Sequence, residues 1–230
     1  MLKNRIQAGI LLAKKLLKYK SENTVVVALP SGGVPIGYCI AKELDLPLSL
    51  VFSQKIGHPN HKEHSIGVVG LSDYVITKPR GVSKSYITNE VRLIQQRLQQ
   101  MKLKYQHKIK IQGLNKKTVL IVDDGMVNGN TLLYAIRLIQ KSKPKEIVVA
   151  VPIASYAAIA LLKEEVAELI VLIIPPFLST VDEFYKKFEA ISDEDVMLYL
   201  EKRNQQQVTT YNQTIYNTEP FLPRKSINIV

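Results

Sequence analysis

Two adjacent carboxylates, Asp123 and Asp124, stand between an apolar run and a glycine-bearing turn in VLIVDDGMVNGNTLLYAI, residues 119–136. Physically this string reads as a strand whose carboxyl end presents two acids, followed by a loop that feeds the N-terminus of a helix. In open α/β sheets ligands bind at that edge. The free N–H groups of residues 127–131 and the hydroxyl of Thr131 would hold a dianionic phosphate, with the helix dipole behind them. The acids lie one loop away, within reach of the hydroxyls of a sugar that bears the phosphate. Two plainer accounts exist: acids that cap the helix, and a magnesium-binding acidic pair of another kind of phosphate-handling enzyme. Neither covers the whole succession of apolar run, paired acids, glycine turn and threonine.

A second glycine turn lies upstream in VVVALPSGGVPIG, residues 25–37, where Gly32 and Gly33 would let backbone N–H groups approach an anion. Alone it reads equally as a tight strand-to-helix connection. Between the two turns, SQKIGHPNHKEHSIGVVG (53–70) carries Lys55 and three of the four histidines, His58, His61 and His64. Their spacing invites a zinc site, but Pro59, the absence of a nearby cysteine and the lack of a fourth ligand favour a solvated loop.

The 119–136 segment resembles the phosphoribosyl-pyrophosphate (PRPP) binding motif of type I phosphoribosyltransferases, in which a hydrophobic strand, two acids and a Thr-Gly-x-Thr loop bind the ribose hydroxyls and the 5′-phosphate. The resemblance implies that Asp123 and Asp124 contact the ribose 2′- and 3′-hydroxyls, one of them also near a metal shell. It implies that Gly125, Met126, Val127, Asn128, Gly129, Asn130 and Thr131 wrap the 5′-phosphate. Asn128 stands where the motif has threonine. Ser31, Gly32 and Gly33 are similar to the pyrophosphate loop, with Ser31 where many relatives carry arginine or lysine. Lys55, Glu63, Ile66 and Gly67 match a little-characterised branch of these proteins, with Gln54 where relatives often have arginine. NRIQAGILLA near the start and EFYKKFEAISDEDV (183–196) also look like that branch, so the likeness covers residues 2–202. What it implies is transfer of the phosphoribosyl group of PRPP to a nitrogenous base. Pyrophosphate leaves, Mg2+ serves as cofactor, and Asp123, Asp124 and Lys55 are the catalytic groups. The metal would be held by the pyrophosphate and by Asp123 or Asp124. A hood at about 175–190 would offer Phe177, Phe184, Tyr185 and Phe188 to a flat acceptor ring; those aromatics would serve equally to anchor the last helix. The alternative is a weakly active or inactive PRPP- or nucleotide-binding regulator on the same fold, to which Ser31, Gln54 and Asn128 point, or a regulator on that fold that binds nucleic acid.

These residues need a framework. Leu2, Ile6, Ile10, Ala13 and Leu17 recur at helical spacing, with most of the segment's lysines outside the stripe. TVVVALP (24–30) is a β-branched run of the kind a buried parallel strand needs. A helical pattern over IGYCIAKEL follows, then a strand at 48–52, a loop from Gln54 to His64, and short strands at 65–69 and 74–77. Ile87, Val91, Ile94, Leu98, Met101 and Tyr105 mark a long helix with one apolar seam, which would pack on the flank of the domain or serve as a dimer surface. Beyond it, strands at 118–122, 146–153 and 168–174 alternate with helices at 129–141 and 155–165. Ser192 opens a last helix with Asp193, Glu194 and Asp195 in its first turn. The alternation predicts an α/β fold: a Rossmann-like, mostly parallel sheet flanked by helices, with a small hood and a flexible loop. Residues 1–203 would form this domain and 204–230 a polar C-terminal tail.

Composition bounds the partners. The 230 residues carry 31 Lys or Arg against 20 acids, a net charge of +11, which favours anions without choosing among phosphates, nucleotides and nucleic acid. Eight Lys or Arg and no acid fall between Val91 and Val122, and a solvated helix face is the plainer reading than a nucleic-acid groove. The single cysteine, Cys39, fits a reducing compartment. The basic N-terminus lacks a small-residue cleavage site and reads as a mature amphipathic helix rather than a secretory signal. The charge-free stretches 24–41 and 147–162 are broken by prolines and read as strand–helix pairs, not membrane spans. The expectation is a cytoplasmic homodimer acting on small molecules.

Overall fold

The computed structural model describes every residue except 22, 77–80, 106–112 and 219–230, and describes only the backbone of 62–64 and 207–218. Among the described residues, the sequence folds as β1 (Thr24–Ala28), β2 (Leu48–Leu50), β3 (Ser53–His58), β4 (His61–Gly70), β5 (Tyr74–Ile76), β6 (Thr118–Val122), β7 (Glu146–Ile153) and β8 (Glu168–Ile173). The helices are α1 (Arg5–Lys15), α2 (Gly33–Leu44), α3 (Lys84–Tyr105), α4 (Asn130–Gln140), α5 (Tyr156–Leu162) and α6 (Asp193–Thr218).

Five strands form a wholly parallel sheet in the order β2-β1-β6-β7-β8. Side chains alternate across it. Val26, Ala28, Leu120, Val122, Val148 and Ala150 face a core shared with α1, α2 and α6, whereas Val25, Val27, Val119, Ile121, Ile147 and Val149 face α4 and α5. Because both faces are covered, the strands read in the sequence as unbroken apolar runs rather than as alternating ones. This is the expected α/β class.

The segment from Gln54 to His64 is not a loop. It builds most of an antiparallel hairpin, β3–β4, which with β5 makes a second, three-stranded sheet. The seam of α3 packs on that hairpin through Val91, Ile94 and Leu98, all buried in the common core. Most of the stripe that offered a dimer surface is therefore covered by the chain's own structure, with Met101 left exposed. At the far end of α3, the Tyr105 hydroxyl donates to Asp193 Oδ1 (2.9 Å) and Lys104 pairs with Asp193 Oδ2 (2.6 Å), tying the helix to the start of α6.

The start of α6 is a capping box. Ser192 Oγ accepts from the Asp195 N–H (3.1 Å) while Asp195 Oδ2 accepts from the Ser192 N–H (3.0 Å). The helix then runs unbroken past Arg203, so the change in composition there falls inside an element. Arg203 itself is buried, donating to Leu46 O (3.0 Å) and to Asp45 Oδ1 (2.7 Å) at the end of α2. Residues 219–230 of the expected tail lie outside the described residues.

Candidate active site

The turn after β6 is anchored before it reaches α4. Met126 donates its N–H to Ile153 O (2.9 Å) and accepts from the Ser155 N–H (3.1 Å), and Ser155 Oγ donates to Val127 O (2.5 Å). Met126 is also buried, so it fastens the turn to the end of β7 and has no N–H to give an anion; this corrects its place among the phosphate-wrapping residues. Gly129 then takes the left-handed conformation (φ 72°) that favours glycine and sets the direction in which α4 starts. Asp123, Gly125 to Gly129, Thr131 and Leu132 line a recess of about 80 Å3 there. The N–H groups of Thr131 and Leu132, in the first turn of α4, have no intrahelical acceptor and face the same end of the helix dipole. One donor is already engaged: Asn128 Oδ1 accepts from the Asn130 N–H (3.1 Å). Asn128 thus closes a small side-chain-to-backbone turn within the loop.

Asp123 and Asp124 sit side by side with unlike surroundings. Asp123 lies at the base of the recess, its Oδ1 accepting from the Asp124 N–H (2.9 Å). Burial, and after it the negative charge of Asp124, push its carboxyl well above the usual carboxylate range; the hydrogen bond and Arg5 oppose that only in part. Asp124 is an ion-pair member. Arg5 donates to its Oδ2 through Nε (2.9 Å) and Nη2 (2.8 Å). The upstream glycines press against both acids. A Cβ on Gly32 would lie 2.0 Å from Asp124 Oδ2, and one on Gly33 would lie 2.6 Å from Val122 O and 3.0 Å from Asp123 Cα. No larger residue fits either position without displacement, so the two turns singled out in the sequence form one site at the carboxyl edge of β1 and β6. The Pro30–Ser31 peptide there is cis. Gly33 N–H is taken by Leu29 O and Val34 N–H by Ser31 O. The amides of Ser31 and Gly32 remain, so Gly33 drops out as a pyrophosphate donor.

Arg5 is the residue that sequence reasoning missed. It occupies the first turn of α1, a turn with no acid, where the helix dipole disfavours a cation. That misplacement was the available signal. The residue is 8% exposed, and its side chain donates through Nη1 to Glu189 O (2.7 Å) and lies over the Phe188 ring, 3.7 Å from its centroid. Tyr185 packs on Phe188 with ring centroids 5.1 Å apart, and its hydroxyl donates to Asp124 O (2.9 Å). The N-terminal residues are stitched to this segment: Leu2 N–H donates to Phe184 O (2.9 Å), Lys186 N–H to Leu2 O (2.8 Å) and Lys187 N–H to Lys3 O (3.1 Å). Three of the four hood aromatics are therefore committed. Tyr185 and Phe188 carry Arg5 and Asp124, and Phe184 is half-buried against the core. Phe177 is 90% exposed and touches none of this.

Lys55 lies on β3, exposed and without an ion pair to any described residue. His58 and His61 face each other across the hairpin tip, with ring centroids 5.6 Å apart. The side chains of Glu63 and His64 lie outside the described residues. Among the described residues, no three His, Cys, Asp or Glu side chains gather to hold a metal by themselves.

Residues 2–168 match the phosphoribosyl transferase domain family. A protein of Mycobacterium tuberculosis, provisionally named a phosphoribosyl transferase and found in two strains, is 27% identical over 204 residues, covering 86% of this chain and 46% of that protein. The chain thus spans about half the length of the curated relatives it matches. Among solved structures, a protein from Thermus thermophilus, TT1426, is 31% identical and superposes with a TM-score of 0.79 over 88% of this chain and 98% of its own.

Proposed function

The chain belongs to the phosphoribosyl transferase domain family, and we propose that it binds PRPP at the joined turns and transfers the phosphoribosyl group to a nitrogenous base, releasing pyrophosphate. One observation supports this above the rest: Gly32 and Gly33 lie directly against the Asp123–Asp124 pair, so a diphosphate loop and a sugar-phosphate loop open onto one space. The amides of Gly125, Val127, Asn128 and Gly129, with Thr131 and the dipole of α4, receive the 5′-phosphate. Asp123 and Asp124 accept hydrogen bonds from the ribose hydroxyls. Positive charge developing on the ring as the bond to the leaving group breaks is then met by nearby carboxylates, and no protein nucleophile is required.

The amides of Ser31 and Gly32 face the leaving group, and Lys55 adds charge from the hairpin. Two carboxylates beside a diphosphate loop are the oxygen-donor set of a Mg2+ shared between protein and substrate, and not of a protein-only cage. Bound there through the pyrophosphate and one oxygen of Asp123 or Asp124, Mg2+ would neutralise the leaving group. The work is that of a cytoplasmic enzyme of nucleotide metabolism; no described helix is long and apolar enough to cross a membrane.

Calorimetry with PRPP and Mg2+, followed by a pyrophosphate-release screen over purines and pyrimidines, tests the reading. Binding together with release by one base supports it; absence of binding removes it. Binding without release by any base favours the second reading, a PRPP-sensing protein without turnover. The engaged Asn130 N–H and the uncharged Ser31 favour that second reading.

A further inference from the structure

Arg5 lies 119 positions from Asp124 in sequence, yet it spends two of its donors on one carboxylate oxygen. Two donors converging on one oxygen anchor that oxygen more firmly than a single point cation would. The rest of the guanidinium is held independently of Asp124: Nη1 on Glu189 O and the flat face on Phe188. Tyr185 meanwhile fixes the backbone carbonyl of Asp124. Both partners are nearly buried, with side-chain exposures of 9% and 17%, so the pair has little freedom to open. The carboxylate lies against Gly32 with Oδ2 nearest, and among the described residues Oδ1 has no hydrogen-bond partner.

We propose that Arg5 is a positioning residue for ribose recognition: it clamps Asp124 Oδ2 so that Oδ1 is presented to a ribose hydroxyl of the phosphoribosyl substrate. The inference rests on the PRPP reading above and assigns to the start of α1 and to the 184–189 segment a common task at the site. In this arrangement the hood aromatics serve the ribose, through Arg5, instead of stacking on the acceptor.

The test compares the wild-type protein with Arg5→Ala and Arg5→Lys, titrated calorimetrically with PRPP–Mg2+ and, separately, with inorganic phosphate as a probe of the 125–131 loop alone. Arg5→Ala is expected to lower PRPP affinity about 10- to 100-fold, by the worth of about one charge-assisted hydrogen bond, while phosphate affinity stays within about twofold. Arg5→Lys, which keeps the charge but not the fork, is expected to recover part of the loss and to retain the fold if the alanine variant does not. Unchanged PRPP affinity in either folded variant overturns the positioning role and leaves the PRPP reading standing. A parallel fall in phosphate and PRPP affinity also overturns it, because the effect is then on the loop as a whole. Failure of the wild-type protein to bind PRPP overturns both.

Discussion

Asp123 is pushed toward its protonated form, whereas its neighbour Asp124 is held in an ion pair by Arg5. Asp123 ionises less readily in the folded protein than in the unfolded chain, chiefly because it is buried and then because Asp124 is negative. A group whose native pKa is raised favours folding in its protonated form. The free protein therefore loses stability as pH climbs from the unfolded Asp value of about 4 through the raised native value. Asparagine removes that penalty and still offers an oxygen to the Asp124 N–H. Asp123→Asn is expected to raise the Tm at pH 8, by about 2–4 °C for each kcal/mol regained, with the gain vanishing near pH 4. The same change at Asp124 deprives Arg5 of its counter-charge. Asp124→Asn should cost about 1–3 kcal/mol and lower the Tm. Both variants should weaken PRPP binding tenfold or more, so scanning calorimetry separates two residues that a binding assay alone would not. A rise for Asp124→Asn would contradict the assignment of Arg5 to Asp124, and a fall for Asp123→Asn at pH 8 would contradict the account of Asp123.

The elements confer precision by close approach. Gly32 faces a carboxylate and Gly33 a backbone carbonyl, so equal additions of one methyl should act differently. Gly32→Ala should displace the Asp124 carboxylate from Arg5, abolishing PRPP binding and lowering the Tm by no more than Asp124→Asn does. Gly33→Ala must move β6 or α2 and should cost about 1–3 kcal/mol, as overpacked cores do. On α3, Leu98 is fully buried against the β3–β4 hairpin, and Leu98→Ala should cost about 2–5 kcal/mol without altering the mass in solution. A change of oligomeric state would return the seam to the role of a subunit contact. The same elements explain what could be read beforehand. Runs such as Thr24–Ala28 and Thr118–Val122 announce themselves because two-sided burial demands β-branched residues throughout. The hairpin at Gln54–His64 did not, because glycine, proline and three histidines interrupt any apolar alternation, and its pairing is supplied by β4 and α3. The polar stretch after Arg203 carries no obvious seam, so its continuation as helix went unseen. Asp123, Asp124 and the glycine turns were legible as local strings. Arg5 was not, because its partner lies on another element and no period links the two.

At the scale of the whole molecule, the charge of +11 draws in anions of every kind, and only the site distinguishes them. The exposed Lys84, Arg92 and Arg97 lie on a helix whose opposite side is buried, which is the layout of a solvated face. A field of that sort binds nucleic acid weakly, with an affinity that collapses as salt rises. Linkage offers a sharper discriminator, because a ligand that binds only the native state stabilises the entire fold in proportion to its occupancy. At about a hundredfold excess over its Kd, PRPP with Mg2+ should add about 2.7 kcal/mol. For a chain of this length that is a rise of about 5–10 °C in Tm. Inorganic phosphate, filling only the 125–131 loop, should give a smaller rise, and chloride at equal ionic strength none. Because diffuse charge responds to ionic strength and not to the identity of the anion, equal shifts for all three would mean that the basic surface alone is being titrated. A graded series, PRPP above phosphate above chloride, persisting at about 0.3 M salt, where diffuse attraction is largely screened, is the expected outcome in a thermal-shift measurement.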